Sequence, residues 1–267
     1  MRLARWERNF AEGVPRAMND PTVLEASPPR RLKVLTYNVH SCIGTDRKLD
    51  PARIAEVIAL LKPDIIGLQE LDVGKSRTGG VDQAETIASL LGMDFHFHAS
   101  LDVADERYGD AVLTSLPSKV VKSGELPSLG EQRSALWIEL DLGGRMLQVF
   151  NTHLGLRGKD RMAQMTRLLG PDWMGQTKLK HQPRMLIGDF NSTPITRTYK
   201  YLAEGLTDAH AASARRPRAT FPSRFPLLRL DHVFVSDGIG IIDSEVISSP
   251  LTRRASDHLP LLVTVEV

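Results

Sequence analysis

The chain has 267 residues but only one cysteine, Cys42, so no disulfide bond can form within it. A lack of disulfides is typical of reducing compartments, and we therefore expect a cytoplasmic protein. No apolar run approaches the roughly 18 residues that indicate a membrane-spanning helix. The basic N-terminus also lacks the apolar stretch that a secretory signal requires. A disulfide-rich secreted scaffold and a membrane-spanning protein are therefore not expected.

The chain also has almost no excess of one charge over the other, because 34 basic and 32 acidic residues give a formal net charge of only +2. This mildly basic balance permits an anionic substrate without requiring one. Internal repeats, low-complexity tracts and the HExxH motif of zinc hydrolases are also missing. What the chain does have is 42% hydrophobic residues, which is enough to form a sizeable core.

Residues 1–30 differ in composition from the rest and are predicted to be an N-terminal extension of a single domain, 31–267. Within the extension, Leu3, Trp6 and Phe10 fall on one helical face. One interpretation is a short helix packed on its own domain. The other is a weak contact with a membrane surface or a partner.

Strand and helix patterns follow one another from Leu32 to the end of the chain. Asp50 followed by Pro51 is typical of a helix start, and Gly143 with Gly144 predicts a hairpin turn. Many strands in mixed order, with helices between some of them, predict an α/β fold of two packed mixed β-sheets flanked by helices. The predicted strands are 32–39, 64–70, 110–115, 134–140, 146–154, 185–190, 230–236, 240–247 and 259–267, and the predicted helices start at 51 or cover 81–92, 157–169 and 196–202.

Polar side chains recur where the apolar strands end or begin. Each one alone is weak evidence, because an Asn or Asp next to a strand is usually a turn residue. Taken together they count for more, since the end of one strand lies beside the start of an antiparallel neighbour and all of them could meet at one edge. The set comprises Asn38, Glu70, Asn151, His153, Asp189, Asn191, Asp231, Asp257 and His258.

The carboxylates and amides of this set are hard oxygen ligands, and the chain has no cysteine pair. Such ligands favour Mg²⁺, Mn²⁺ or Ca²⁺ over Zn²⁺, and buried carboxylates without a nearby basic residue need a cation. Mg²⁺ leaves coordination positions for water and phosphate oxygens. Hydrolysis of a phosphate ester is therefore the chemistry that suits the set best.

Seven short motifs are distributed along the chain between Leu32 and the last residue. They are TYN (36–38), LQE (68–70), YGD (108–110), NTH (151–153), GDFN (188–191), LDHVFVS (230–236) and SDH (256–258). In this order they resemble the endonuclease/exonuclease/phosphatase superfamily, which includes DNase I-like nucleases, neutral sphingomyelinases and inositol-polyphosphate phosphatases. The resemblance implies a DNase I-like four-layer α/β sandwich with its active site at one edge of two central sheets. Two longer stretches, 153–164 and 225–235, also resemble a bacterial subgroup of uncertain substrate.

The resemblance implies that Asn38, Glu70 and Asp257 would hold a Mg²⁺ or Mn²⁺ ion as cofactor. One departure from the motifs is Asp110, because many bacterial members have an amide where this chain has an acid. A second acid, Glu106, is a candidate to orient a catalytic histidine, as an acid does in the DNase I branch.

The catalytic group implied by the resemblance contains five residues. In it, Asp189 would orient or deprotonate the attacking water and Asn191 would bind a phosphate oxygen. Asp231 would pair with His258, whose protonated form the carboxylate favours. His153 matches a histidine of the DNase I and sphingomyelinase branches.

The segment 214–230, directly before the aspartate that opens the LDHVFVS motif, holds five arginines and two phenylalanines. Arginines bind phosphates and aromatics stack on bases, which suits a nucleic acid. The same mixture suits an anionic membrane surface, with apolar side chains inserted and arginines at the headgroups. A solvated basic loop is the third interpretation. The substrate-binding residues predicted from this segment are Arg218, Arg224, Arg229 and Phe221.

Three functions are compatible with these features. The first is a divalent-metal-dependent phosphodiester hydrolase, a nuclease that cleaves DNA or RNA by metal-activated in-line attack of water. The second is a phosphodiesterase or phosphatase that acts on a phospholipid or another small phosphate ester, with a peripheral membrane contact. The third, a non-catalytic binding protein, is disfavoured because the catalytic positions all hold competent residues. No obligate protein partner is implied, and we expect a monomer.

Overall fold

The computed structural model describes residues 29–267, and the predicted helical face of Leu3, Trp6 and Phe10 lies outside them. The strands are β1 (Arg31–Asn38), β2 (Ile65–Val73), β3 (Asp94–Val103), β4 (Glu106–Thr114), β5 (Ser118–Leu126), β6 (Arg133–Asp141), β7 (Met146–His153), β8 (Arg184–Asp189), β9 (Thr207–Asp208), β10 (Asp231–Val235), β11 (Gly240–Val246) and β12 (Leu261–Glu266). The helices are α1 (Pro51–Leu61), α2 (Gln83–Leu91), α3 (Gly158–Leu169), α4 (Arg197–Ala203), α5 (Ala209–Ala212) and α6 (Pro250–Ala255).

The strands form two mixed sheets of six strands each. Sheet I has the order β11-β12-β1-β2-β4-β3, and sheet II has the order β5-β6-β7-β8-β10-β9. Each sheet contains one parallel pair, β1–β2 and β7–β8, joined through a helix, and its other pairs are antiparallel. Because parallel strands end at the same edge, Asn38 lies next to Gln69 in sheet I and His153 next to Asp189 in sheet II.

Three apolar clusters arrange the sheets and helices in four layers. Aliphatic side chains of both sheets, such as Val34 and Ile187, fill the space between them. On the outer face of sheet I, Ile54 of α1 and Ile87 of α2 pack against the strands, and Met165 of α3 packs on the outer face of sheet II. The predicted DNase I-like four-layer α/β sandwich is thus confirmed.

Several local predictions are confirmed because the expected capping residues adopt the expected geometry. The side chain of Asp50 accepts a hydrogen bond of 2.9 Å from the backbone N–H of Arg53 at the start of α1. Gly92 ends α2 in the left-handed region at φ 64°. Gly143 and Gly144 turn with positive φ between β6 and β7, as the predicted hairpin requires.

Three strands were not predicted: the two-residue β9 and the longer strands β3 and β5. β3 and β5 each lie at an edge of their sheet, and most of their side chains are half-buried or exposed. An edge strand needs no strong alternation of apolar residues, because only part of its surface packs on the core. The sequence pattern was therefore too weak to predict either strand.

A buried amide pair joins the two sheets beneath the edge where the polar residues collect. Gln69 of sheet I donates from Nε2 to Asn151 Oδ1 of sheet II at 2.8 Å. Asn151 in turn donates from Nδ2 to the carbonyls of Leu68 and Ala111 in sheet I, at 3.1 and 2.9 Å. Asn151, which the sequence groups with the site residues, thus fixes one sheet against the other.

Among the helices of the described part of the chain, none combines the length and apolar character that crossing a bilayer requires.

Candidate active site

A buried carboxylate–histidine–carboxylate cluster lies at the shared edge of the two sheets. Asp189 ends β8 and Asp231 begins β10, and the two are opposite each other in the antiparallel register. Asp231 Oδ2 lies 2.9 Å from His258 Nδ1, and Asp189 Oδ2 lies 3.6 Å from His258 Nε2. The imidazole therefore stands between two carboxylates that the fold holds in place.

The two carboxylates determine the charge of His258. Burial by itself lowers the pKa of this histidine, but the negative charges of Asp231 and Asp189 outweigh burial and raise the pKa to about 10. His258 is consequently a cation at neutral pH, with Nδ1 donating to Asp231 and Nε2–H facing Asp189. This is the pairing of Asp231 with His258 that the resemblance implied.

Asp189 is the most connected residue of the cluster. Its Oδ2 accepts a hydrogen bond of 3.0 Å from Asn38 Nδ2 across the two sheets, and its Oδ1 accepts one of 2.9 Å from the backbone N–H of Asn191. Burial raises the pKa of Asp189 to about 6, while the positive charge of His258 opposes that rise. The carboxylate is thus a base whose pKa lies close to neutral pH.

The GDFN segment holds the side chains of Asp189 and Asn191 in a fixed geometry at the end of β8. Gly188 has φ +144°, and a Cβ atom at this position would lie 1.8 Å from the carbonyl oxygen of Thr152. Phe190 is fully buried, and Asn191 turns back in the left-handed region at φ 47°. Asn191 Nδ2 donates to the carbonyl of Leu154 at 2.9 Å, so its amide is fixed beside β7.

His153 is buried and neutral. Burial is the main cause that lowers the pKa of His153 to about 3, and the nearby Arg133 adds to it. Arg133 donates from Nη1 to His153 Nδ1 at 3.1 Å, while His153 Nε2 lies 3.1 Å from Asn191 Nδ2 and 3.5 Å from Asp189 Oδ2. Glu106 does not orient this histidine, because its carboxylate instead accepts from the backbone N–H of Ser76 at 2.8 Å.

Glu70 lies at a β-bulge that turns its side chain toward the site. The register of β2 against β4 shifts between Leu68 and Leu71, and Glu70 itself has φ 63°. Its Oε1 accepts a hydrogen bond of 2.9 Å from Asn38 Nδ2. Burial by itself raises the pKa of Glu70, but the hydrogen bond from His40 and the other positive and donor groups around it lower the pKa strongly.

His40 was not among the predicted site residues, yet its ring lies between two predicted metal ligands. Nδ1 is 3.5 Å from Glu70 Oε2 and 3.8 Å from Asp257 Oδ2. Its backbone begins a left-handed turn in which His40, Ser41 and Cys42 have φ 49°, 50° and 56°. Non-glycine residues in this region cost free energy, so such a turn is typical of functional sites. The only sequence signal was its place two residues after the end of a strand.

The carboxylates of Glu70 and Asp257 fit a divalent cation better than the buried cluster does. Asp189, Asp231 and His258 offer donor atoms within 4.8 Å of one another. However, His258 Nδ1 already bonds Asp231, and the cluster is enclosed. The side chains of Glu70 and Asp257 are 21% and 37% exposed, which leaves room for the water and phosphate ligands that Mg²⁺ keeps.

The ligand role of Asn38 stays a prediction, because in this structure its amide donates to Glu70 and Asp189 and its Oδ1 accepts from a backbone N–H.

A cavity of about 390 Å³ opens beside His40 and Glu70. This is large enough for a phosphate and a small attached group. The lining includes His40, Glu70, Lys75, Arg77 and Tyr108.

Asp110, the acid that departs from the resembling motifs, lies beneath Glu70. It is 3% exposed, and its Oδ1 accepts from the Glu70 backbone N–H at 3.4 Å. Burial raises the pKa of Asp110 to about 7, although the positive charge of Arg133 opposes the rise. Among the described residues its Oδ2 has no hydrogen-bond partner. The site therefore contains a second buried carboxyl group whose protonation changes near neutral pH.

The predicted substrate-binding residues separate into two groups. The Phe221 ring lies 4.8 Å from the His258 ring, and Arg224 is exposed, with Nη2 donating to the Thr45 carbonyl at 2.9 Å. Arg218 is exposed as well. Arg229 is different, because its guanidinium is buried and lies 2.9 Å from a buried carboxylate behind the site. Arg229 therefore stabilises the fold at this position, which corrects its predicted contact with substrate.

Replacing Arg229 with Met is expected to lower the free energy of unfolding by about 3 kcal/mol, because the buried Asp208 loses its 2.9 Å partner. Urea unfolding measures the effect. The matched control is Arg218→Met, where an exposed arginine is removed and the change should stay within about 0.5 kcal/mol. An Arg229→Met protein of unchanged stability with a raised KM would instead restore its role in substrate binding.

Comparison with known proteins places these motifs in a wider group. A family model described as "Endonuclease/Exonuclease/phosphatase family" matches residues 35–258 of the chain. The uncharacterized protein YbhP of Escherichia coli strain K12 is 26% identical over 249 residues, which cover 88% of this chain and 96% of YbhP. The family match thus includes the whole candidate site, from Asn38 to His258.

Solved structures share the same fold. The human Nocturnin catalytic domain with a bound sulfate anion superposes with a TM-score of 0.68 at 24% identity, covering 89% of this chain and 94% of Nocturnin. A mannosyl-6-phosphatase of Bacteroides thetaiotaomicron superposes with a TM-score of 0.69 at 23% identity, covering 88% of this chain and 99% of that protein. At these identities the likeness establishes the architecture.

Proposed function

Because the chain belongs to the endonuclease/exonuclease/phosphatase family, we propose that it is a divalent-metal-dependent phosphodiester hydrolase that uses in-line attack of water. The observation that carries this proposal is the cluster in which His258 stands between Asp231 at 2.9 Å and Asp189 at 3.6 Å. Asp231 fixes the imidazole, and Asp189 is joined through Asn38 to Glu70, which lines the cavity. This arrangement supplies a base and a cation side by side.

Asp189 is the group that would align the water and take its proton. Its pKa of about 6 leaves it ionised at neutral pH and still able to accept a proton. As the water oxygen bonds to phosphorus, the bond from phosphorus to the leaving oxygen breaks. His258, held protonated, then stabilises negative charge on the phosphate oxygens. Neutral His153, whose Nε2 lies 3.5 Å from Asp189 Oδ2 and 3.1 Å from Asn191 Nδ2, would position both residues toward the substrate.

A Mg²⁺ or Mn²⁺ ion held by Glu70 and Asp257 would supply the remaining positive charge at the phosphate oxygen and the leaving oxygen. The donor set fits such an ion because it consists of oxygen atoms that are partly open to solvent. His40 stands against both carboxylates and would limit where the ion can lie.

Metal removal tests this proposal directly. Hydrolysis of bis-p-nitrophenyl phosphate should stop in EDTA and return with Mg²⁺ or Mn²⁺, and isothermal titration should show that Glu70→Gln binds Mn²⁺ at least about tenfold more weakly, since one anionic ligand is lost. Glu131→Gln is the control, because Glu131 lines the same cavity but is paired with Arg133 at 3.5 Å. Full activity in EDTA, or equal Mn²⁺ affinity for both variants, would rule out the metal assignment.

Two substrate classes remain as proposals for this bond. A DNA or RNA strand is the one that the sequence favoured, and a phospholipid or other small phosphate ester is the alternative. A mannosyl-6-phosphatase of the same fold supports phosphate-ester chemistry without deciding between them, because a fold hosts many substrates. The side chains exposed around the site favour the lipid.

A further inference from the structure

The five most exposed large apolar side chains of the described residues all lie at the active-site edge of sheet II. They belong to the loops β5–β6, β7–α3 and β8–α4 and to the segment before β10. Single exposed apolar residues are ordinary, but several on one face mark an interaction surface. They are Leu129, Leu156, Ile195, Phe225 and Leu227, with exposed fractions from 75% to 83%.

These loops form one continuous surface, here named the rim and defined as residues 127–132, 154–159, 190–197 and 213–228. The strands that carry them, β5, β6, β7, β8 and β10, are successive neighbours in sheet II. Hydrogen bonds also tie neighbouring loops together. Arg157 donates to the first loop, Asn191 to the second, and Phe190 to the residue just before β10. The rim therefore presents its apolar side chains in a fixed row.

The rim is strongly basic although the molecule is not. Its four segments contain seven arginines and lysines and one acidic residue, whereas the whole chain has a net charge of +2. Of the seven, Arg215 is paired with Asp243 and Glu245 at 2.8 and 3.0 Å. The other six lie in the same loops as the apolar side chains and give the rim a positive charge, which complements an anionic surface.

The chemistry of the apolar row decides which anionic surface fits. Single-stranded nucleic acids bind through aromatic faces on which bases stack. Four of the five exposed side chains are leucine or isoleucine and have no such face; Phe225 is the exception. Aliphatic side chains ringed by basic residues are instead typical of proteins that lie on a bilayer, with apolar groups between the headgroups.

The rim is joined to the catalytic residues. Its last segment carries Phe225 at the tip and Phe221 at the base, where the Phe221 ring packs 4.8 Å from the His258 ring. In the same segment, the backbone N–H of Ser223 donates to the Asp257 carbonyl at 2.6 Å. A surface that contacts the rim therefore lies next to the catalytic cluster.

From this juxtaposition we propose that the rim docks the protein on an anionic phospholipid bilayer, and that the substrate is the phosphodiester of a lipid headgroup. The docking stands by itself, and the substrate class rests on the proposed hydrolase function. In that reaction water adds to the headgroup phosphorus, the bond from phosphorus to one ester oxygen breaks, and the released alkoxide takes up a proton.

Vesicle sedimentation of the full chain tests the docking. Binding to vesicles of phosphatidylglycerol, phosphatidylethanolamine and phosphatidylcholine should be at least about tenfold stronger than to phosphatidylcholine alone. The double variant Ile195→Ser/Leu227→Ser should lose at least about tenfold in binding to the mixed vesicles. The matched control is Leu60→Ser/Leu90→Ser, which removes two exposed side chains near the C-terminal ends of α1 and α2 and should bind as the unchanged protein does.

Hydrolysis separates the docking from the chemistry. The rim variant should hydrolyse bis-p-nitrophenyl phosphate at the normal rate but release phosphate ester from the mixed vesicles at least about tenfold more slowly, as followed by phosphorus NMR. Vesicle binding without hydrolysis of the lipids overturns the substrate class alone. Equal loss in the rim and control variants, or displacement of the vesicles by single-stranded DNA that the rim variant no longer binds, overturns the docking. No hydrolysis of the soluble ester contradicts the proposed function while leaving the docking result intact.

Discussion

The Asp189→Asn protein is expected to lose about 10³-fold in turnover on any phosphodiester while its melting temperature changes by no more than a few degrees. Asp189 accepts from Asn38 at 3.0 Å on Oδ2 and from the Asn191 backbone at 2.9 Å on Oδ1. The substitution keeps the shape and one of these two contacts, since an amide has a single acceptor oxygen, and it removes the negative charge. Since burial raises the pKa of this carboxyl to about 6, the folded protein already pays for keeping it ionised, and a neutral amide relieves that cost.

Steady-state kinetics on bis-p-nitrophenyl phosphate and thermal unfolding measure the two expectations side by side. Asp237→Asn is the control, because Asp237 is an exposed residue just after β10 and should alter neither quantity. If Asp189→Asn keeps near-normal turnover, or loses activity only in proportion to unfolding, the GDFN segment is a structural turn and the water-activating role is excluded.

The second large effect concerns the dyad of Asp231 and His258. Each of Asp231→Asn and His258→Ala should lower kcat by about 10²- to 10⁴-fold, the usual range for a group that moves or stabilises a proton. Because the two side chains meet at 2.9 Å and act through one imidazole, the double variant should be little slower than either single variant. Rate losses that multiply would show that they act independently.

The pH profile provides a separate measurement of the dyad. Activity needs Asp189 ionised and His258 protonated, so it should rise through a pKa near 6 and fall above a pKa near 10. The carboxylate of Asp231 is the chief cause that raises the His258 pKa against burial. Asp231→Asn should therefore move the alkaline limb to lower pH, and because the charge of Asp231 also raises the pKa of Asp189, it should move the acid limb to lower pH by a smaller amount. An unmoved alkaline limb would assign it to another group.

The sequence predicted the proximity of the polar residues better than it predicted the sheet edges. The end of one strand lies beside the start of an antiparallel neighbour, and Asp189 and Asp231 do lie opposite each other in this way, with His258 beside both. The edge strands β3 and β5 escaped prediction because half-exposed strands need no regular alternation.

The remaining differences come from contacts between residues distant in sequence. Nothing local shows that Arg229 is buried against Asp208, which lies twenty-one positions earlier in the chain and pairs with it at 2.9 Å. The position of His40 depends on a left-handed turn of three non-glycine residues, which propensity would not favour. Arg133 meets His153 only because β6 pairs with β7.

The amide pair of Gln69 and Asn151 also has a consequence for how activity is gained during folding. Glu70 and Asn38 come from one sheet and Asp189 and His153 from the other, so neither sheet holds a working set of groups by itself. The set is completed only when the two halves of the sandwich close and the bridging amides pair. Recovered catalysis would therefore act as a reporter of that closing step in refolding, and a nascent chain would remain inert until its last strands were in place.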